Sequence, residues 1–383
     1  MYHKTTVFIS ACLGMLLFGV SLITLGSIAT DLQAKFSLDP IATGTLFSIL
    51  PFGILAGSLL FGPICDRYGY KLLLICACVA MFAGFQGIAF APSLSILKIS
   101  VLFFGIGAGI VNGATNALVA DISEKNRGAN LSLLGVFFGL GALGMPLILG
   151  LLSGRVPSFE VVAAVGWLTL AVGLMYAVIQ LPPAKPQTGE SSAKWSQLFS
   201  LLLLLIAFFL FFQSALEAIV NNWATTYLIS RGLAKEDALF ALSLHIAGMV
   251  VARFLTGSVF RRVPQVGIMW SCLVLLALGI FLMQIGASFP VTAAGLILSG
   301  AGLSGGFPIM LGFVGERFAN LSGTAFSFVF VVALIGNMLI NYVMGVIVHE
   351  YGVEHLTTVS YVQIGAMAAL FLFIVQKLRS NIT

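Results

Sequence analysis

The chain has 383 residues, of which 60% are hydrophobic and 8% are charged. An average soluble domain carries roughly 25% charged residues, so this composition excludes a soluble globular protein and indicates one that lies in lipid. The net charge of +5 falls in short connections between apolar runs, where contact with anionic headgroups explains it, and we therefore expect no nucleic-acid binding.

Apolar runs of about 20 residues, the length at which a helix crosses the hydrocarbon core, recur along the whole chain. They are continuous and contain many glycines and alanines, which is typical of packed membrane helices and not of barrel strands. The sequence predicts an all-α membrane protein with twelve transmembrane helices in two pseudo-symmetric six-helix bundles. The predicted spans are 7–30, 41–64, 72–91, 95–119, 130–153, 159–181, 197–228, 236–260, 266–286, 290–315, 323–348 and 356–377.

One polar segment interrupts this pattern in the middle of the chain. Its sequence, PPAKPQTGESSAK from Pro182 to Lys194, is rich in Pro, Ser and charge, as linkers are. We therefore predict an N-terminal bundle over 1–181, a cytoplasmic linker over 182–196 and a C-terminal bundle over 197–383. Two repeats of this kind are a common transporter plan, with the substrate site near the bilayer midplane, and they predict alternating access.

Lysine and arginine are distributed unequally between the two sets of connections. If the N-terminus is cytoplasmic, the inner connections and tails hold most of these residues, and the outer side holds Lys35, Lys98, Arg155, Arg231 and Lys235. Because Lys and Arg accumulate on the cytoplasmic side, we predict a multi-pass protein of the plasma membrane, the inner membrane of a bacterium. Both termini are predicted to be cytoplasmic.

The segment after the second span carries the first recognisable motif. It reads GPICDRYGYK from Gly62 to Lys71, and it resembles the signature loop of the major facilitator superfamily. Asp66 can face the N-terminus of a neighbouring helix, while Arg67 and Lys71 can hold phosphates or carboxylates. We therefore predict that these three residues gate the conformational change. The alternative is simple positive-inside anchoring.

Three shorter motifs carry a narrower resemblance. They are GxGxGxxNxxxN from Gly105 to Asn116, FGxGAxGxP from Phe138 to Pro146 and ExxxNNWxxxYL from Glu217 to Leu228, and they look like the fucose–galactose–glucose symporter branch. The resemblance implies a sugar or sugar-like substrate moved with a cation, usually a proton. The fucose permeases place acids in the first and fourth spans, whereas this chain has Asn112 at the fourth-span position and no acid before Asp31. Neither position therefore supplies a proton carrier.

Polar residues inside the spans form stripes at helical spacing. Residues four apart share a helix face, and such stripes cannot face lipid without unpaired amides. We predict that they line a central polar chamber, where amides suit the hydroxyls of a neutral sugar; the alternative for each is helix–helix hydrogen bonding. Trp223 is predicted to stack on a sugar ring, and its alternative is the interfacial aromatic belt. The predicted substrate-binding residues are Asn112, Asn116, Gln213, Glu217, Asn221, Asn222, Trp223, Asn337 and Asn341.

Glu217 is an acid inside a long apolar run, Leu198 to Ala218, and a carboxylate near the bilayer centre costs about 2.5–3.5 kcal/mol or more. Its role is a proton site, a ligand for substrate hydroxyls or an ion-pair partner of Arg253. If the pair meets in one conformation and separates in another, the acid can load and release a proton. His245 lies eight residues before Arg253 and is a pH sensor or simply a hydrogen-bonded histidine. We predict proton coupling through Glu217, Arg253 and His245.

Other motifs predict packing and not chemistry. The glycine-rich segments resemble phosphate loops only in spelling, because no strand precedes them and no Lys-Ser or Lys-Thr follows. We predict close helix packing there, with kinks at Pro146 and Pro308. Five cysteines without CxxC spacing indicate neither disulfides nor a metal site. Because no hydrolase or metalloenzyme motif occurs, we predict no enzymatic activity, no cofactor and no metal.

Together these observations predict a secondary active transporter that imports a neutral sugar or sugar derivative by proton-coupled alternating access. Its predicted partners are the sugar-like small molecule, a proton or sodium ion and membrane lipid, and it is predicted to act as a monomer. The alternative is a proton-driven exporter of amphipathic compounds or drugs, which a chamber dominated by Phe and Met would favour.

Overall fold

The computed structural model describes residues 3–123, 127–182, 200–258, 263–286, 288–318 and 322–380. The predicted linker over 182–196 lies outside the described residues except for Pro182. The chain divides into two compact units, Met1–Thr188 and Gly189–Thr383.

The first unit is built around α1. Its helices in the described residues are α1 Lys4–Ser27, α2 Ala29–Phe36, α3 Pro40–Phe90, α4 Leu94–Ile122, α5 Arg127–Leu152 and α6 Ser158–Val178. The first helix packs against α4, α5 and α6, and α3 packs closely against α4. The buried Tyr176 hydroxyl of α6 donates a 2.7 Å hydrogen bond to the carbonyl oxygen of Ser10 in α1, which ties these two helices together.

The second unit is built around α7. Its described helices are α7 Leu201–Ser230, α8 Lys235–Ser258, α9 Gln265–Ile285, α10 Phe289–Leu303, α11 Gly306–Arg317, α12 Ser322–Tyr351 and α13 Leu356–Ser380, with a 3-10 turn at Val353–His355. The central helix packs against α8, α11, α12 and α13. Most of its length is buried, including Phe209, Trp223 and Tyr227, so its polar residues lie among other helices and not in lipid.

The predicted membrane fold is confirmed. Within the described ranges, twelve helical stretches are long and apolar enough to cross a membrane, and they overlap the predicted spans one for one. No strand occurs among the described residues. Large apolar side chains cover the outside, such as Phe254 at 70% exposure and Leu151 at 66%. A soluble protein avoids such a surface, whereas a lipid-facing one requires it.

The signature segment does not form the loop predicted for it. Helical dihedral angles run from Pro40 to Phe90, and the residue inside this helix that departs from them is Gly69, with φ 76° and ψ 171°. Glycine tolerates a positive φ, whereas a side chain makes it strained. A single glycine therefore separates the second and third spans, and the polar residues on either side remain helical.

The tenth span is broken, and Pro308 explains where. The helix stops after α10, and Ser304 and Gly305 separate it from α11. Pro308 has no N–H to donate to the carbonyl of Ser304, four residues earlier, and its ring crowds that carbonyl. The predicted kink therefore interrupts the helical hydrogen-bond pattern, although Ser304 and Gly305 keep right-handed helical dihedral angles. Pro146, by contrast, lies inside α5, which continues past it.

The glycines of the fourth span lie where α4 crosses α3. A Cβ added to Gly109 would collide with the carbonyl oxygen of Ile54, and a Cβ added to Gly105 would collide with that of Leu50. The second unit repeats the arrangement at Gly300, whose added Cβ would collide with a backbone carbonyl of α8. The prediction of close packing by these glycines is confirmed.

Replacement of Gly109 by Ala is expected to destabilise the first unit. The added methyl group meets a backbone carbonyl that cannot move independently of α3, and overpacking of this kind costs about 1–3 kcal/mol. Thermal unfolding of the detergent-purified protein measures the effect. Gly144→Ala in α5 is the matched control, because nothing lies within 4 Å of its added Cβ. Equal melting temperatures for the two variants would contradict a packing role for Gly109.

Candidate functional site

One face of α7 carries an acid between two amides. Gln213, Glu217 and Asn221 are four residues apart and so share a helix face. Gln213 is wholly buried, Asn221 is buried and Glu217 is partly exposed. The exposure of this face therefore changes along the helix, from the buried amide of Gln213 to the partly exposed acid of Glu217.

Gln213 is held against the break in the tenth span. Its Nε2 donates a 2.9 Å hydrogen bond to the carbonyl oxygen of Leu303, the last residue of α10. The interruption leaves this carbonyl without its usual helical donor, and the amide supplies one. Gly306 makes room for the contact, because a Cβ there would collide with the Gln213 carboxamide. Gln213 therefore stabilises the break in the tenth span.

A chain of amide hydrogen bonds joins α7 to α12. Asn222 Nδ2 donates to Asn341 Oδ1 at 3.0 Å. Asn341 Nδ2 donates to the carbonyl oxygen of Asn337 at 2.8 Å, and Asn337 Nδ2 reaches the carbonyl oxygen of Ser214 at 3.5 Å. The first and last of these bonds join α7 to α12, as the helix–helix alternative predicts, and the middle one lies within α12. The substrate-binding role of Asn222, Asn337 and Asn341 stays a prediction.

Glu217 and Arg253 are neighbours without direct contact. They are close enough to interact electrostatically, yet within the described part of the chain no ion pair of 4.0 Å or less joins them. The Nε atom of Arg253 is buried and has no hydrogen-bond partner among the described residues. Buried charges are normally paired or hydrogen-bonded. This pair therefore has unsatisfied capacity for a polar ligand, for water or for a closer contact in another conformation.

His245 is fixed through one ring nitrogen. Its Nδ1 lies 3.1 Å from the carbonyl oxygen of Leu296 and 2.9 Å from Ser299 Oγ. The Ser299 hydroxyl itself donates to the Leu296 carbonyl oxygen at 2.9 Å, so Nδ1 is best assigned as a donor in the neutral ring. The other nitrogen, Nε2, is buried and has no partner in the described ranges. His245 can therefore accept one more hydrogen bond or a proton.

Several buried polar atoms of the second unit share this lack of partners. More than about 90% of buried polar groups are normally hydrogen-bonded, so a set of exceptions indicates water or a ligand. Among the described residues the set includes Gln213 Oε1, Asn221 Oδ1, Asn222 Oδ1, Thr226 Oγ1, His245 Nε2, Arg253 Nε and both amide atoms of Gln363.

Two of these residues were absent from the prediction. Gln363 is only 3% exposed and lies inside the twelfth span, and Thr226 lies in α7. The stripe rule misses Gln363 because its neighbours at four residues are Val359 and Met367. A solitary carboxamide in an apolar run is the signal that could have identified it.

The fourth-span asparagines behave differently from those of α12. Asn116 Nδ2 donates to the carbonyl oxygen of Asn112 at 2.9 Å and to Asn112 Oδ1 at 3.1 Å. Both side chains are partly exposed, and in the described residues neither bonds to another helix. Helix–helix bonding therefore does not account for them, and their predicted substrate-binding role remains open to test.

Trp223 is wholly buried in the second unit. A residue of the interfacial belt exposes its ring to the headgroup region, so that alternative does not fit. Contact of the ring with a sugar remains a prediction.

The residues predicted to gate the conformational change are only partly described. Arg67 and Lys71 are exposed, and the side chain of Asp66 lies outside the described part of the structure. Between the two basic residues, the Tyr70 hydroxyl donates a 2.9 Å hydrogen bond to Asp121 Oδ2 at the end of α4. This contact fixes the segment to the fourth span, and it was not predicted from the sequence.

The described residues contain no group of three His, Cys, Asp or Glu side chains that could hold a metal ion. The five cysteines are free thiols. The arrangement is suited to binding a polar molecule and exchanging a proton, since amides, one acid, one guanidinium and one imidazole are the groups it offers.

Comparison with known proteins gives one family match. The sequence model of the Major Facilitator Superfamily matches residues 7–340. The sodium-dependent glucose transporter 1A of Mus musculus is 23% identical over 382 residues, covering 87% of this chain and 87% of that protein. A mutant of the nucleoside transporter NupG has a TM-score of 0.81 at 15% identity, over 97% of this chain and 99% of that one. A D-xylose–proton symporter has a TM-score of 0.79 at 16% identity, over 97% of each chain.

Proposed function

Because the chain belongs to the Major Facilitator Superfamily, a family of membrane transporters and not of enzymes, we propose that it imports a neutral sugar or sugar derivative with a proton by alternating access. The observation that carries the proposal is the set of buried polar atoms without partners in the second unit. Most are acceptors on amides and imidazole, and Arg253 Nε is a donor. A hydroxyl both donates and accepts, so a hydroxyl-rich molecule can satisfy both kinds.

The similar proteins support a sugar more than they support one coupling ion. A glucose transporter and a D-xylose symporter are among them, and the first is described as sodium-dependent whereas the second is described with a proton. The proposal that a proton is the coupling ion therefore rests on this chain's own residues. Glu217 lies inside a span, keeps some exposure and does not form a direct ion pair with Arg253, which fits one stage of a load-and-release cycle.

The proposed architecture follows the sequence prediction. Bundles over 1–181 and 197–383 are joined by the linker over 182–196, and the division between the compact units, at Thr188 and Gly189, falls inside that linker. The excess of basic residues in the inner connections supports cytoplasmic termini in a plasma membrane. We include in the proposal a monomeric transporter in which Asp66, Arg67 and Lys71 control the change of conformation.

A ligand screen by thermal shift tests the function. Purified protein is heated with monosaccharides, disaccharides and amphipathic cations, each at several pH values. We expect a neutral sugar to raise the melting temperature, since a ligand at 100 times its Kd stabilises by about 2.7 kcal/mol, and we expect the shift to depend on pH. Stabilisation by amphipathic cations with no sugar response would contradict the proposal and favour the exporter.

A further inference from the structure

Two clefts of nearly equal size open on the outer surfaces of the two units. The first, the α7–α13 cleft, has a volume of about 480 Å³ and is lined by Leu201, Leu205, Phe373, Gln376 and Lys377. The second, the α5–α6 cleft, has a volume of about 460 Å³ and is lined by apolar residues between Ile148 and Leu168 together with Glu160. Both walls are mainly apolar, but the charged residue is Lys377 in the first cleft and Glu160 in the second.

The walls of the α7–α13 cleft face away from the protein core. Leu201 is 59% exposed and Phe373 is 57% exposed, although both belong to helices long and apolar enough to cross a membrane. Exposed apolar walls of this kind are filled by hydrocarbon in a bilayer. The cleft therefore suits an acyl chain and not a water-soluble molecule.

One basic residue lines this cleft, and two others lie at the same end of α13. Lys377 lines it, and Arg379 follows in the same last turn of α13. Arg317, at the end of α11, brings a third positive charge, because its Nη2 donates a 3.4 Å hydrogen bond to the carbonyl oxygen of Leu378. Arg317 and Arg379 are both exposed. Basic pockets between transmembrane helices attract acidic lipid headgroups.

We propose that the α7–α13 cleft binds one anionic phospholipid. Its acyl chain lies along Leu201, Leu205 and Phe373, and its phosphate lies beside Lys377. The α5–α6 cleft does not bind this lipid selectively, because Glu160 repels an anionic headgroup. The combination of an apolar cleft with Lys377 in its wall and two further arginines at the same end of α13 carries the proposal, which is independent of the transported substrate.

Photo-labelling with two matched lipids tests the site. Full-length protein in detergent micelles is irradiated with phosphatidylglycerol or phosphatidylcholine, each carrying the same diazirine acyl chain, and the labelled peptides are mapped by mass spectrometry. We expect phosphatidylglycerol to label peptides containing 201–205 and 373–377 more strongly than phosphatidylcholine. Lys377→Gln is expected to reduce that labelling about five-fold, the effect of one basic residue beside an acidic headgroup.

The second cleft provides the internal control. Phosphatidylglycerol should label the α5–α6 cleft no more strongly than phosphatidylcholine does, and Glu160→Lys, a substitution at an exposed residue, should make phosphatidylglycerol the stronger label there. If Lys377→Gln does not fold, Glu160→Lys still tests whether a basic residue at such a cleft selects the anionic lipid. If the two lipids label the α7–α13 cleft equally, the cleft holds ordinary surrounding lipid and the proposal is overturned. The same conclusion follows if Lys377→Gln leaves the labelling unchanged. A failure of Glu160→Lys to change the selectivity of its cleft also overturns the proposal.

Discussion

Replacement of Glu217 by Gln is expected to abolish uphill accumulation of sugar while sugar counterflow continues. Glutamine keeps the size and much of the hydrogen-bonding capacity of the acid, but it cannot bind and release a proton. Sugar binding and the conformational change are therefore retained, whereas the proton gradient no longer drives uphill uptake. Proteoliposomes with an imposed pH gradient measure uphill uptake, and exchange of labelled for unlabelled sugar without a gradient measures counterflow.

The control for this variant is the same chemical change at another acid. Glu160 is exposed on α6 and lies outside the polar stripes, so Glu160→Gln should leave both assays unchanged. Normal uphill uptake by Glu217→Gln would remove the proton role of Glu217. Loss of counterflow together with uphill uptake would instead identify Glu217 as a ligand for the substrate, the second of the three roles considered above.

The membrane fold could be predicted from the sequence because the bilayer sets one length for every spanning helix. Local interruptions could not be predicted as reliably. Gly69 alone separates the second and third spans. The polar residues around it are of types found both at helix ends and in loops, so their composition does not show which of the two they form. The break at Ser304 and Gly305 follows from Pro308 physically, yet Pro146 leaves α5 continuous. Whether a proline breaks a helix depends on which neighbours can satisfy the freed carbonyls.

The site residues show the same limit. Asn112 and Asn116 have the same spacing as Asn337 and Asn341, and spacing fixes which side of a helix they share. It does not say what faces that side. The α12 amides meet α7, and Asn341 accepts a hydrogen bond from Asn222. The fourth-span amides bond within their own helix. Partners depend on the packing of helices that are distant in sequence.

A single buried amide is still harder to interpret. Gln363 has no polar residue four positions away, and only its burial with both amide atoms unsatisfied among the described residues makes it a candidate. Gln213 had the predicted spacing, but its Nε2 caps the broken tenth span. Periodicity therefore indicates neither the structural hydrogen bond of Gln213 nor the burial of Gln363, because it carries no information on which hydrogen bonds the fold completes.

Removal of Arg253 is expected to destabilise the protein, and simultaneous removal of Glu217 is expected to restore much of the loss. Arg253→Met leaves the acid of α7 without the basic residue that interacts with it electrostatically. Breaking a contacting buried pair costs about 3–5 kcal/mol, and since these side chains are not in direct contact we expect a smaller coupling of about 0.5–3 kcal/mol. Melting temperatures of the wild type, Arg253→Met, Glu217→Gln and the double variant measure it.

The transport assays of the same four proteins separate stability from coupling. The double variant should melt close to the wild type and still fail to accumulate sugar, because it has no acid to carry the proton. Arg253→Lys is the matched control, since it keeps the charge and should lose less stability than Arg253→Met. If the two single changes add without interaction, the acid and the guanidinium act independently. A cycle in which they meet and part would then have no physical basis.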